Sequence, residues 1–360
     1  MPSDLVEKLR KAGLFRLGMP AALGGDECDP FTIIDTMEEI ARADGSAGWT
    51  TFIGNTNFSM AWLEPAVAKE IASHGPDLIV AAGFSPSGTA RPDGSNFVVD
   101  GRWAFSSGSP HADWFVNAAV VTDGDNPRGL PPGQPSWRLA FIPARDTEII
   151  DTWHAAGLRG TGSHDVTATA VRVPQERTAQ PYFESAKFDG PLYRLPYAIL
   201  LSAFMSPFPL GVARRALDEF ATLAHKKSRT LPPGAPMAED AAVQVELAHA
   251  EATLRSARSF LVEALGVCWN SVCAGDPVSL ELQTTALLAS LNGARAARNA
   301  VETVYGMSGA GAALDASPMQ RCVRDLMVGT QHIAFSMTRW ASAGRAILGL
   351  DPATFMLRAP

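Results

Sequence analysis

Twice along this chain the spacing of apolar residues changes period, and those two changes fix the order of its parts. Up to about residue 74 the spacing is helical. Leu5, Leu9, Leu14 and Leu17 recur every three to five residues, Ile33, Ile34, Met37 and Ile40 share one face, and Trp49, Phe52, Phe58, Met60 and Trp62 mark an apolar helix over 48–63. From Leu78 short β-rich runs take over, at 78–81, 96–99, 102–105, 114–121, 137–142 and 166–173, divided by Gly, Pro, Asp and Ser. After Pro174 helical spacing returns. Its plainest case is Val243, Leu247, Ala250, Leu254, Ala257 and Leu261, whose alternating steps of four and three form a bundle seam. Pro207 and Pro209 should split or kink a first bundle helix over 195–228, Asp276-Pro277 should open another, and a last helix should run over 319–348. The expected fold is α+β: a helical domain at 1–74, a β-sandwich or barrel at 75–188 and a helical bundle at 189–360.

With 360 residues, 46% of them hydrophobic, the chain can bury a substantial core. Its net charge of −7 and lack of any basic run argue against a nucleic-acid partner. The four cysteines, Cys28, Cys268, Cys273 and Cys322, form no CxxC pair and sit beside no histidine, so buried free thiols are expected and no metal. The start, MPSDLVEKLRKAGLFRL, has no apolar signal core, and no run approaches the ~20 apolar residues of a membrane span, which points to a cytoplasmic chain. Over 123–135 (DGDNPRGLPPGQP) a mobile surface loop is expected.

The richest chemistry lies in 100–114, DGRWAFSSGSPHADW. Asp100-Gly101 reads as a hairpin turn. The returning strand then delivers Ser106, Ser107, Gly108, Ser109 and His111 to one strand end, where glycine lets backbone approach a flat polar ligand and hydroxyls donate or accept. The same cluster also fits an ordinary Ser/Gly turn. Asn55 and Asn57, inside the apolar helix, either line a pocket or are buried amides held by neighbouring elements.

Three motifs together resemble the acyl-CoA dehydrogenase fold, with its helical domain, middle β-domain and four-helix bundle. They are AGLFRLGMPAALGGDECDP followed by EEIARADGSAGW, then GRWAFSSGS with GLRGTGSHDVTATAVRVP, and last RDLMVGTQHI. Dehydrogenases of that fold abstract a proton with a glutamate, because a carboxylate in an apolar pocket is basic enough for the task. Here Val328 stands at one of the family's two base positions, and 200–211, which holds the other, has no carboxylate. The departures, with Trp103–Gly108 and Gln331-His332, are similar to the two-component flavin monooxygenase branch. Members of that branch receive reduced FMN or FAD from a separate NAD(P)H:flavin reductase, form a C4a-hydroperoxide with O2 and oxygenate an aromatic or nitrogen-containing small molecule. A dehydrogenase-like enzyme with a displaced base and a non-catalytic flavin-binding homologue remain as alternatives.

The resemblance also implies roles for single residues. Ser107, with Ser106, would lie beside the flavin ring edge, and Trp103 or Phe105 would flank it. Gly329 and Thr330 match the turn that approaches the cofactor, and Arg229 matches an arginine that meets the flavin phosphate through its charged fork. His332 would be the acid/base, since a neutral imidazole can take a proton and return it, with His111 as second choice. A homotetramer is implied, and relatives carry a further helix ahead of the segment that begins here at Ser3-Asp4.

Overall fold

The computed structural model describes residues 1–73, 75–123, 126–127, 137–230 and 233–357. Helix α1 (Ser3–Lys11) is short because Gly13 turns left-handed (φ +75°) and ends the Leu5–Leu17 periodicity early. Helix α2 (Pro30–Ala43) starts at Asp29, whose carboxylate accepts the amides of Phe31 and Thr32, and buries Ile33, Ile34 and Met37. The apolar helix expected over 48–63 is α3 (Gly45–Gly54), a 3₁₀ segment (Thr56–Trp62) and a break between them. Asn55 makes that break. Its amide nitrogen donates to the carbonyls of Leu14 (2.7 Å) and Thr51 (2.8 Å), and its oxygen accepts from the Leu17 amide (2.9 Å). Helix α4 (Pro65–Ala72) completes the first part.

The middle of the chain forms an eight-stranded sheet of β1 (Val80–Asp93), β2 (Asn96–Ser106), β3 (Trp114–Asp123), β4 (Asn126–Pro127), β5 (Trp137–Pro143), β6 (Glu148–Ile150), β7 (His164–Pro174) and β8 (Thr178–Ala179). The order is β6-β7-β2-β1-β3-β5-β8, with β4 paired to β3; β1 and β3 run parallel and the other pairs antiparallel. The expected turn at Asp100-Gly101 is not there. The hairpin turns one motif earlier, at Gly94 (φ +59°), where Asp93 faces Asn96, and β2 runs through Asp100-Gly101 without reversing. Asp100 instead accepts the Ala170 amide (2.7 Å) at a bulge in the β2–β7 pairing, and a Cβ on Gly101 would lie 2.7 Å from Gly88 Cα. Gly83, Gly88 and Gly101 leave room for the Trp103 indole, which is fully buried and donates to the Ala118 carbonyl (2.7 Å). Most of the expected 123–135 loop lies outside the described residues.

The chain then returns to helices: α5 (Pro191–Arg194), α6 (Tyr197–Met205), α7 (Pro207–Lys226), α8 (Ala241–Ala274), α9 (Leu280–Ser308), α10 (Pro318–Gly329) and α11 (Met337–Ile347). Between α7 and α8 a small hairpin pairs β9 (Ser228–Thr230) with β10 (Pro233–Pro236). The proline split falls at Ser206, and the seam residues of α8 are buried or half-buried. By length and composition Tyr197–Lys226 could cross a membrane, contrary to the expectation above; 78% of its most apolar window is buried inside the fold, as in a core helix. Helix α9 starts later than Asp276-Pro277 suggests, with Ser279 as its cap, because the Ser271 hydroxyl and amide bonds hold 276–277 in the preceding turn. The last helix is broken between Gly329 and Met337. All four thiols are free; Cys268 and Cys322 are buried, with burial pushing both up to about 11, whereas Cys28 is half-buried and Cys273 exposed.

Candidate active site

Ser107 lies just past the end of β2, buried between the first helical part and the sheet. The Trp49 indole N–H on α3 donates to its hydroxyl (3.1 Å), and the hydroxyl pairs with Ser163 (2.7 Å), which pairs with Thr161 (2.6 Å). Thr161 in turn donates to the Leu158 carbonyl (2.8 Å), so one direction satisfies the whole row: Trp49 to Ser107 to Ser163 to Thr161 to Leu158. Every hydroxyl proton in the row is spent. Each hydroxyl oxygen keeps one lone pair able to accept a further hydrogen bond.

Neighbouring backbone fixes this row. Gly108 is left-handed (φ +75°) and its amide donates to the Thr161 carbonyl (2.8 Å), tying the end of β2 to the 158–163 loop. That loop begins at Leu158, itself left-handed (φ +51°), whose amide donates to Asp325 of α10 at 2.6 Å. Burial raises the Asp325 pKa, and the Leu158 hydrogen bond opposes the rise.

His332 approaches the same indole from the bundle. Its ring sits edge-on to Trp49 with centroids 5.6 Å apart, while Trp49 also meets Phe208 at 5.0 Å. Gly329 is required at the end of α10, because a Cβ there would lie 2.4 Å from the Phe208 ring. The Thr330 hydroxyl folds back onto the Leu326 carbonyl (2.8 Å), and His332 then caps a 3₁₀ turn (Ile333–Phe335), its Nδ1 accepting the Ala334 amide (3.3 Å). With Nδ1 an acceptor, the neutral ring carries its proton on Nε2. His332 is exposed at the surface, although protein atoms crowd the region around it. Lost hydration pushes its pKa down to about 4, and the positive charge of Arg339 adds to the effect.

Of the residues expected at a site, Ser107, Gly329, Thr330 and His332 are brought together, with Trp49 as the link. Ser106 is fully buried and bonds the Trp103 carbonyl (3.2 Å), and Trp103 is core; Phe105 is 73% exposed beside Trp153 (6.2 Å) with a left-handed backbone (φ +61°), so of the two aromatics only Phe105 is open to a ligand. His111 stands apart from the row, its Nε2 donating to the Met1 carbonyl (3.1 Å), and its pKa is lowered first by burial and then by the N-terminal amine. Asn57 donates to the Phe15 and Leu78 carbonyls, so both asparagine amides stitch backbone together. Arg229 lies on β9; its side chain is outside the described residues. Sequence reading missed Trp49, Ser163 and Thr161. Ser163 and Thr161 stood in the quoted GLRGTGSHDV motif, whereas the role of Trp49 depends on a residue 58 positions away. None of the hydrogen-bond or ring contacts of Trp49, Ser107, Ser163 or His332 among the described residues is to a carboxylate.

A helical–sheet–helical chain with a buried hydroxyl row linked through Trp49 to a bundle histidine has the plan of a flavin-binding acyl-CoA dehydrogenase fold. Residues 1–66 match the acyl-CoA dehydrogenase N-terminal domain and residues 203–337 the acyl-CoA dehydrogenase C-terminal domain. An indole-3-acetate monooxygenase of Pseudomonas putida is 34% identical over 97% of this chain and 87% of its own length. The flavin-dependent monooxygenase oxygenase subunit HsaA of Rhodococcus jostii is 28% identical over 93% of this chain and 88% of its own. Among solved structures, the 3-HSA hydroxylase of Rhodococcus sp. RHA1 superposes with a TM-score of 0.91 at 26% identity, covering 99% of this chain and 92% of that one. The chain belongs to the acyl-CoA dehydrogenase family, in its branch of flavin-dependent monooxygenase oxygenase components.

Proposed function

We propose that Phe105, Ser107 and the Thr330–His332 turn line the site that holds reduced flavin, FMN or FAD, and that the enzyme oxygenates an aromatic or nitrogen-containing small molecule, using electrons delivered by a separate NAD(P)H:flavin reductase. The observation that carries this reading is the hydroxyl row. Its spare lone pairs suit a donor, and the N5 of a flavin bears a proton only when reduced. When bound, the reduced flavin supplies two electrons to O2, so that one oxygen atom goes to the substrate and the other leaves as water.

The chain's own residues then have separable tasks. Ser107, held by Trp49, accepts at the ring edge, and Phe105 offers an exposed ring for stacking. With a pKa near 4, His332 is neutral at pH 7 and presents an Nε2–H donor to that site. That arrangement supports a hydrogen bond to an oxygen that gains negative charge during transfer. We read His332 as such a donor, where the sequence suggested an acid/base. Val328, on the turn before His332, offers no base for dehydrogenation, and Asp325 is committed to the Leu158 amide.

Anaerobic titration tests the reading. Reduced flavin should bind roughly tenfold more tightly than oxidised flavin, about the worth of one good hydrogen bond, and oxygen plus substrate should give product with little free H2O2. Phe105→Ala should weaken flavin binding several-fold and leave the melting temperature unchanged, because that ring is solvent-exposed. Equal affinity for both redox states, or reduction of bound oxidised flavin by an acyl-CoA, would defeat the proposal. We take the enzyme to be a cytoplasmic homotetramer; the apolar groups exposed along 333–348, Ile333 (64%), Met337 (79%), Ile347 (66%) and Leu348 (75%), suit a contact between subunits. Sedimentation at micromolar concentration should show four copies, and a monomer there would refute it.

A further inference from the structure

Arg339 lies near the start of α11, seven residues beyond His332. It is half-buried, and its only side-chain hydrogen bond among the described residues is from Nη1 to the Thr354 hydroxyl (3.1 Å). No described carboxylate lies within ion-pair distance. Several other half-buried arginines in this chain do have carboxylate partners: Arg138 meets Glu184, Arg177 meets Glu70, Arg214 meets Asp218 and Glu251, and Arg258 meets Asp35 and Glu38; Arg298 and Arg324, like Arg339, have none among the described residues. A guanidinium withdrawn from water without a counter-ion is costly to keep, so a site that retains one is suited to an anion that arrives from outside.

The surroundings say what kind of anion. Thr354 leads into Phe355, whose ring meets Tyr182 (5.0 Å), Trp137 (5.8 Å) and Phe183 (5.9 Å), and Tyr182 meets Tyr197 (4.9 Å). Through Thr354 the guanidinium stands next to this aromatic wall, and its charge reaches both the His332 ring and the Tyr182 phenol. Burial lowers the pKa of Arg339 itself, in keeping with its poor hydration.

We propose that Arg339 binds the carboxylate of an aromatic acid substrate, the fork gripping the acid while the ring lies on the aromatic wall toward His332. This names the substrate class of the oxygenase reading above and rests on it. The fork's geometry matches a carboxylate in two parallel hydrogen bonds, which an amide of the same shape cannot reproduce.

The test uses three acids, phenylacetate, 4-hydroxyphenylacetate and indole-3-acetate, each against its primary amide, with binding measured by calorimetry on the flavin-loaded enzyme. The wild type should prefer at least one acid over its amide by about tenfold or more. Arg339→Gln should erase that preference by weakening the acid alone, and Arg339→Lys, which keeps the charge without the fork, should retain part of it. Affinity for FMN and for riboflavin should stay within twofold of wild type. The idea is overturned if no acid is preferred or bound, if Arg339→Gln weakens acid and amide equally, or if it weakens FMN but not riboflavin, which would make Arg339 a flavin-phosphate contact. The two readings fail separately: acid selectivity through Arg339 without oxygenation would remove the oxygenase reading, and oxygenation unaltered by Arg339→Gln would remove this one.

Discussion

Replacing His332 with alanine should lower the rate of product formation about 10²- to 10³-fold, the usual loss when one preorganised donor is removed from an oxyanion, while H2O2 release persists. His332→Gln, which keeps an N–H donor, should recover part of the loss. The pH dependence separates a donor from a base. Burial holds the His332 pKa at about 4 against an ordinary 6.5, so the ring stays neutral from pH 5.5 upward and kcat/KM should show no limb from it near 6.5. A limb near 6.5 would instead show a ring that titrates there and can take up the proton. Stability carries the complementary sign. The unfolded chain takes up the proton first, so the folded state loses stability as pH falls from 6.5 toward 4 and is unaffected by this group above 6.5. Part of that loss should vanish in His332→Gln, read from melting temperatures at pH 5 and pH 8. Full turnover in the alanine variant would remove His332 from the chemistry.

The second large effect should come from a residue that touches no ligand. Gly88→Ala would put a Cβ 2.3 Å from the Trp103 indole, which cannot retreat because it is fully buried and anchored to the Ala118 carbonyl. Overpacking of this kind costs about 3 kcal/mol, at the upper end for one added methyl because the ring is rigid. Trp103→Phe alone loses volume and a hydrogen bond, and should cost a similar ~2–4 kcal/mol. Combined, the two should cost clearly less than their sum, since each relieves the other. Denaturant unfolding of the four proteins gives the coupling; simple additivity would show that the glycine and the indole do not share that space. Because Trp103 lies between the bulge and Ser107 on one strand, Gly88→Ala should also weaken flavin binding.

Some of this was legible in the sequence and some was not, for reasons that differ by residue. The helical–strand–helical order could be read because period is a local property, and the α8 seam and the Ser206 split needed nothing beyond it. The hairpin could not. Two Asp-Gly pairs stand seven residues apart, at 93–94 and 100–101, and what decides between them is the Ala170 amide 70 positions away from Asp100. Ser107 and His332 were visible as residue types in a family pattern, yet their connection through Trp49 exists only in three dimensions, where a tryptophan that reads as core also spends its N–H on a hydroxyl. The break that carries His332 was hidden as well, since Gly329 and Thr330 look tolerable inside a helix until the Phe208 ring is seen against the glycine.

The pairing of β2 with β7 slips twice, between Val99 and Gly101 and again between Trp103 and Ser106. Side chains on a strand alternate between two sides, so each slip resets which side the next residue takes. Phe105 points outward and Ser107 inward because the second slip and the left-handed backbone of Phe105 break that alternation, and the arithmetic is unforgiving: one residue added or lost across that slip would exchange an oily surface for a buried hydroxyl. Length variation that a surface turn absorbs without effect would here invert the chemistry.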